Sequence, residues 1–145
     1  MSRVYVDTSA LAKWYLNEPR SSDFADWIVE QAEPWISSLT SVEMRCLLAR
    51  RRRTGEIDRE IEIRVFSTFE EDVANGHLFL HPVDDEALLA ALALIERLES
   101  VPLRTLDALH LALARQLAVP RLATADRTMA EAASELDLDI TRFYD

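Results

Sequence analysis

Arg3-Val4-Tyr5-Val6-Asp7-Thr8-Ser9-Ala10-Leu11 is the stretch whose reading decides the fold. Val4, Tyr5 and Val6 form a β-branched and aromatic run, too short for a helix and suited to a buried strand. Asp7 follows at once. Thr8 and Ser9 then offer hydroxyls to cap a helix that continues through Ala10, Leu11 and Trp14. A carboxylate is thereby expected at the C-terminal tip of a first strand, where a helix begins. Ligands collect at such tips in open α/β sheets. A helix N-terminus attracts anions, yet a buried carboxylate still needs a counter-charge.

Outward from this stretch, short strands alternate with helices. Helices are expected near 9–16 and 21–31, then a strand over Pro34-Trp35-Ile36-Ser37 and a helix from about Ser41 to Arg53. Gly55 closes that helix. A long amphipathic helix from about Asp58 to Asn75 repeats Ile61, Val65, Phe69 and Val73 every four residues, and Gly76 suits its C-cap. A strand over 78–83 and a helix from Asp84 come next. Pro102 breaks that helix, and Thr105 is placed to cap the next, Leu106–Leu117. Arg121–Thr124 reads as a strand, Asp126 opens the last helix, and Ile140–Tyr144 reads as a closing strand. This alternation means an α/β fold with a parallel sheet covered on both faces. The two helices joined near Gly55 read as a projecting hairpin.

The chain has 145 residues, 49% of them hydrophobic and 29% charged, the profile of one globular domain spanning 1–145. No run approaches a membrane span and no basic-then-apolar leader opens the chain, so a cytoplasmic protein is expected. Cys46 is the only cysteine, which excludes an internal disulfide and a cysteine-based zinc site; its helical spacing from Val42 and Ala49 suggests a small buried hydrophobe. With only Gly55 and Gly76 as glycines, there is no Gly-rich phosphate loop. The formal net charge of −10 argues against a general nucleic-acid binder. Against that, Arg45 and the run Arg50, Arg51, Arg52 and Arg53 concentrate basic charge.

Four acids do not fit a plain surface. Asp126 follows the strand Leu122–Thr124 as Asp7 follows Val6, and acids at the ends of neighbouring parallel strands can meet. As an N-cap for the helix that follows, Asp126 has an ordinary explanation too. Glu43 either completes a capping box from Thr40 or, stacked over Leu47, turns toward the core. Asp107 lies in Leu106-Asp107-Ala108-Leu109-His110-Leu111-Ala112-Leu113-Ala114, a helix apolar nearly all round. The helix dipole favours an acid there by about 0.3–1 kcal/mol. Desolvating an unpaired ion costs several kcal/mol, so positive charge is required nearby. Were the four acids to converge, each pair 4 Å apart would repel by about 4 kcal/mol at an effective dielectric near 20. Such a cluster calls for protonation or bound cations, and oxygen donors suit Mg²⁺ or Mn²⁺. Ions held so can polarise a phosphodiester and activate water without a protein nucleophile.

The remaining candidates have ordinary readings. Thr8, Ser9 and Thr124 are caps or turn residues first, and supports for the acids second. His110, one turn beyond Asp107, reads as a packed core histidine, and His77 and His81 show no partner in the sequence. The arginine run is a solvated helix end by default, and a hold on RNA phosphates or a partner as a functional reading.

With these residues assembled, the chain resembles PIN-domain ribonucleases, in particular the VapC-like toxins of toxin–antitoxin pairs. The resemblance rests on Val4–Leu11, Ser41-Val42-Glu43, Leu106–Ala114 and Thr124-Ala125-Asp126, in that order across nearly the whole chain. It implies a three-layer α/β/α fold and Mg²⁺- or Mn²⁺-dependent cleavage of RNA. Asp7, Glu43, Asp107 and Asp126 become the catalytic metal ligands, with Thr8 and Thr124 as support. It further implies a homodimer and an antitoxin that covers the site, with the helical pair over 41–75 as its clip. The strong negative charge departs from what an RNA enzyme needs. A phospho-acceptor receiver domain is excluded because position 8 is Thr and the sole lysine is Lys13; a haloacid-dehalogenase-like phosphatase is excluded because Ser9 stands where a second aspartate is required. A housekeeping RNA-processing nuclease and a non-catalytic binding module of the same fold are the competing readings.

Overall fold

The computed structural model describes residues 3–145. Five strands form one sheet: β1 (Val4–Val6), β2 (Pro34–Ser37), β3 (Phe79–His81), β4 (Arg121–Thr124) and β5 (Asp139–Arg142), in the order β3-β2-β1-β4-β5. All four pairings are parallel. Seven helices connect them: α1 (Thr8–Tyr15), α2 (Ser21–Ile28), α3 (Ser38–Arg53), α4 (Arg59–Ala74), α5 (Asp85–Arg97), α6 (Thr105–Gln116) and α7 (Arg127–Glu135).

Strand alternation divides the core. Val4 and Val6 point to one face, where they pack with Leu11 of α1, Phe24 of α2, Met44 of α3 and Phe69 of α4. Tyr5 points to the other, among side chains of α5, α6 and α7 such as Leu94, Leu111 and Met129. The result is the expected three-layer α/β/α arrangement, with α6 buried nearly all round. Successive strands run outward from β1 to β2 and β3, and then β4 takes up the opposite side of β1. The strand order therefore reverses between β1 and β4, the point at which open α/β sheets form their ligand crevice. Register places Val6 beside Ala123, and the Asp7 N–H extends the ladder by donating to the Ala123 carbonyl at 2.9 Å.

Helices α3 and α4 form the expected hairpin, turning at Gly55, whose φ of +83° suits a residue without Cβ. It holds a buried ion cluster that the sequence reading did not anticipate. Glu62 of α4, 1% exposed, receives Arg45 at 3.0 Å and Arg52 at 2.5 Å from α3. The Arg45 guanidinium also lies over the Phe66 ring at 5.4 Å.

Several local expectations are corrected. Helix α3 starts at Ser38, because Ser37 is its N-cap and Thr40 supplies the reciprocal hydroxyl by accepting the Ser37 N–H at 3.2 Å. Glu43 is thus well inside the helix and caps nothing. Thr8 and Ser9 do not cap α1 either; Asp7 occupies that position. Arg104, not Thr105, is the N-cap of α6. Cys46 is exposed rather than buried, since α3 turns it toward the cleft described below. The third strand is shorter than the expected 78–83, and α2 ends at Ile28. His81, which showed no partner in the sequence, pairs with Gln116 at 3.0 Å.

Candidate active site

A cleft of about 760 Å³ opens at the C-terminal ends of β1 and β4, and Asp7, Glu43, Asp107 and Asp126 all line it. Each arrives by a different route. Asp7 ends β1, Asp126 follows β4, Glu43 lies one turn into α3, and Asp107 lies in the first turn of α6. The sheet's order reversal brings the two strand-end acids to one edge, and the helices bring the other two over it.

In each carboxylate one oxygen is hydrogen-bonded and the other is not. Asp7 Oδ2 accepts from Ser9 Oγ and from Thr124 Oγ1, both at 2.8 Å. Glu43 Oε1 accepts from Thr8 Oγ1 at 2.7 Å and pairs closely with His110 Nε2. Asp107 Oδ2 accepts the Arg104 backbone N–H at 3.4 Å, and Asp126 Oδ1 accepts the Thr128 N–H at 2.8 Å. Asp107 and Asp126 therefore both serve as helix caps, so capping explains part of Asp107 despite its burial. The hydroxyls of Thr8 and Thr124 are spent on acids; Thr124 Oγ1 also accepts the Asp126 N–H at 3.0 Å, which ties Asp126 to Asp7 through one side chain.

Arg50 and Lys13 also line the cleft, but the basic groups that reach the four acids are Arg104 and His110. Arg104, 80% exposed, reaches Asp107 at 3.5 Å and Asp126 at 3.6 Å. His110, 1% exposed, lies beneath the acids, with Nε2 also 3.7 Å from Asp7 Oδ1. Its Nδ1 meets the Tyr5 hydroxyl at 2.6 Å, and Tyr5 in turn donates to Ser37 Oγ at 3.0 Å. Nε2 faces the Glu43 carboxylate as a donor, and Nδ1 shares a hydrogen bond with the Tyr5 hydroxyl. Burial alone would push the imidazole pKa down; the bond to Glu43 and the charges of Asp7, Glu43 and Asp107 hold it above its ordinary value. Burial pushes Glu43 up, and the same His110 bond, with Thr8, brings it below the usual carboxylate range. Asp107 is raised, first by desolvation and then by Asp126, with Arg104 only partly offsetting them.

His110 is packed in the core, as its sequence context suggested, but it is also wired to the acids. Its position one turn after Asp107 was the available signal. Tyr5 and Arg104 were not anticipated; Tyr5 was legible only as the middle residue of an alternating strand, and Arg104 as the residue three before Asp107. The arginine run divides. Arg50 lines the cleft, Arg51 pairs with Glu18 and Glu56, Arg52 pairs with Glu62, and Arg53 is exposed.

The family model of the PIN domain matches residues 4–135, which takes in every one of these side chains. The chain belongs to the PIN domain family. Two relatives from Mycobacterium tuberculosis accompany the match. Ribonuclease VapC46 is 34% identical over 143 residues, 97% of each chain, and Ribonuclease VapC47 is 29% identical over 79% of this chain and 76% of its own. Among solved structures, the sarcin-ricin loop cleaving toxin VapC20 of M. tuberculosis superposes with a TM-score of 0.71 at 17% identity, covering 89% of this chain and 94% of its own. The DNA-bound VapBC of Salmonella typhimurium gives 0.66 at 15% identity, covering 99% of each. At such identities these two structures establish the shared PIN fold alone.

The donors of this PIN domain suit a hard divalent cation. All are oxygens, each carboxylate keeps one without a hydrogen bond, and the repulsion that raises Asp107 is relieved by added positive charge. Among the described residues, no three acidic, histidine or cysteine side chains are gathered into a ready-made cage.

Proposed function

We propose that this PIN domain is a metal-dependent endoribonuclease, the toxin of a toxin–antitoxin pair. The observation that carries the reading is the cleft itself: acids with one oxygen pinned by the protein and one presented, around an Asp107 that lacks sufficient counter-charge. Asp7, Asp107 and Asp126, with Glu43, would hold Mg²⁺ or Mn²⁺. Such an ion supplies Lewis acidity and an activated water for phosphodiester hydrolysis. The protein's own part is orientation. Ser9 and Thr124 fix the Asp7 carboxylate, Thr8 and His110 fix Glu43, and the Thr128 N–H fixes Asp126. Glu43, held below the usual carboxylate range, stays ionised and offers Oε2 as an acceptor for a water proton. Arg104 and Arg50, both exposed at the cleft, are available to RNA phosphates and offset the acidic body.

An antitoxin partner is supported by relatives solved as complexes, among them a toxin–antitoxin complex from Klebsiella pneumoniae. The α3–α4 hairpin is the proposed clip for it. A homodimer is supported by the exposed Leu88, Leu89, Leu92 and Ile95 of α5. No helix among the described residues is long and apolar enough to cross a membrane; a cytoplasmic location belongs to the same reading, because the RNA it would cut is there.

The capping bonds of Asp107 and Asp126, bridged by Arg104, favour a second reading as a binding module without turnover. Cleavage of RNA at low salt by wild type and Asp7→Asn, each with Mn²⁺, Mg²⁺ or EDTA, separates the two. Cleavage confined to wild type with metal supports the enzyme. No cleavage, with no metal binding by calorimetry, leaves the binding module.

A further inference from the structure

His110 stands against the acids at the floor of the cleft with almost no exposed surface. It is buried, and both ring nitrogens are engaged, Nδ1 with Tyr5 and Nε2 with Glu43. Tyr5 is fully buried in the apolar layer beneath α6, and its hydroxyl is held by Ser37, also fully buried, on the neighbouring β2. A phenylalanine would fill the Tyr5 position with no polar group to satisfy. Ser37 Oγ also caps α3, but the buried phenol has no such second use, and a buried hydroxyl needs a polar partner. The polar chain from Ser37 through Tyr5 to His110 is therefore an anchor at the cleft, and the group closest to its end is Glu43, ahead of Thr8 Oγ1 at 3.5 Å and Asp7 Oδ1 at 3.7 Å.

Glu43 needs one. Its side chain has three rotatable bonds and comes from a helix at the cleft's edge, so unrestrained it would sample several rotamers. Thr8 and His110 both hold Oε1, which selects one rotamer and leaves Oε2 free of the protein. We propose, on the metal-dependent reading above, that His110 is a positioning residue: anchored in the core by Tyr5 and Ser37, it fixes the Glu43 carboxylate so that a single oxygen faces the cleft.

The test is Mn²⁺ titration calorimetry on wild type, Tyr5→Phe, His110→Gln, His110→Asn and the double variant Tyr5→Phe/His110→Gln, with melting curves to verify folding. Glutamine can place an N–H where Nε2 was, and asparagine can reach only toward Tyr5. His110→Asn is expected to weaken Mn²⁺ binding by about tenfold or more, the usual effect of losing an orienting partner, while His110→Gln, which keeps the bond to Glu43 and loses the one to Tyr5, weakens it only several-fold. Tyr5→Phe is expected to weaken Mn²⁺ binding several-fold in wild type and to have no further effect in His110→Gln, because both act through the same contact. In cleavage of a single-stranded RNA reporter, Tyr5→Phe is expected to lower kcat with KM unchanged. Tyr15→Phe removes a hydroxyl–carboxylate bond to Asp72 outside the cleft and controls for simple loss of a buried hydrogen bond.

Equal effects of Gln and Asn, additive effects of Tyr5→Phe and His110→Gln, or unchanged Mn²⁺ affinity in Tyr5→Phe would each overturn the assignment. If His110→Asn does not fold, Tyr5→Phe alone decides. Failure of wild type to bind Mn²⁺ at all overturns the metal-dependent reading itself, and is thereby distinct from a wild type that binds with variants that do not differ.

Discussion

Glu62 and Asp107 are both buried acids on helices, and the protein treats them oppositely. Around Glu62, in the α3–α4 hairpin, two arginines close on the carboxylate; they outweigh the burial that would push its pKa up and bring it below the usual range. Around Asp107, burial and the neighbouring Asp126 win, and the one arginine in reach, Arg104, is 80% exposed at 3.5 Å. The hairpin acid is complete within the chain. The cleft acid is not, and what it lacks is positive charge. Burial of an acid is thus no guide to its role; the balance of its counter-charge is.

The sharpest way to break this contrast is to neutralise each acid. Asp107→Asn is expected to lower RNA cleavage by roughly a hundred- to a thousandfold, the scale of several kcal/mol of lost transition-state stabilisation. In EDTA its melting temperature should equal or exceed that of wild type, because repulsion from Asp126 and Asp7 is relieved. A large drop in melting temperature would mean that Asp107 is structural like Glu62. Glu62→Gln is expected to do the reverse. It leaves two arginines without their partner and should lower the melting temperature by roughly 5–10 °C, while cleavage per folded molecule stays within about threefold of wild type.

A third measurement adds the missing charge. Mn²⁺ at about a hundred times its dissociation constant should raise the wild-type melting temperature by roughly 5–10 °C, the equivalent of about 2.7 kcal/mol. Thermal shifts should show the same gain in Glu62→Gln and little in Asp107→Asn. A gain in all three would move the ion away from the cleft.

The smallest expected effect is in pH. His110 is held above its ordinary 6.5, so its contribution to stability is complete below that pH and is lost as pH rises through the folded-state value. Glu43 is held below its ordinary 4.5, so its contribution is complete above that pH and is lost as pH falls through its folded-state value. Asp107 is held above its ordinary 3.8, and its ionisation therefore costs stability as pH rises. Melting in EDTA should peak between about pH 4.5 and 6.5 and decline by a few degrees toward about pH 9. His110→Gln should flatten that decline, and an unchanged slope would show that the pair does not titrate with folding.

The sequence displayed the cleft better than the hairpin, for a physical reason. Asp7 and Asp126 each follow a short apolar strand, so their place at the sheet edge follows from local pattern and the parallel topology. Asp107 stands out against an apolar helix. Glu62 sits among Glu60, Ile61 and Ile63 on a helix that shows many charges, and nothing local distinguishes the one acid that faces Arg45 and Arg52 across the hairpin. The hydroxyls were misread similarly. Thr8 and Ser9 occupy positions where a cap is the ordinary use, and only the approach of Glu43 and Thr124 from distant parts of the chain redirects them. Tyr5 and Ser37 belong to separate strands whose pairing brings them together, which no window along the chain reveals.

The pairing of β1 with β4 has a consequence for the timing of biosynthesis. Thr124 and Asp126 lie more than a hundred positions after Asp7, and β4 inserts beside β1 only once they have been made. Until then Asp7 lacks the Thr124 hydroxyl and the Asp126 carboxylate, and the crevice has one wall. A nascent chain therefore carries no assembled acid cluster until Asp126 has been made. Whatever the completed cleft does, a nascent chain that has not reached Asp126 does not do it to the RNA around it.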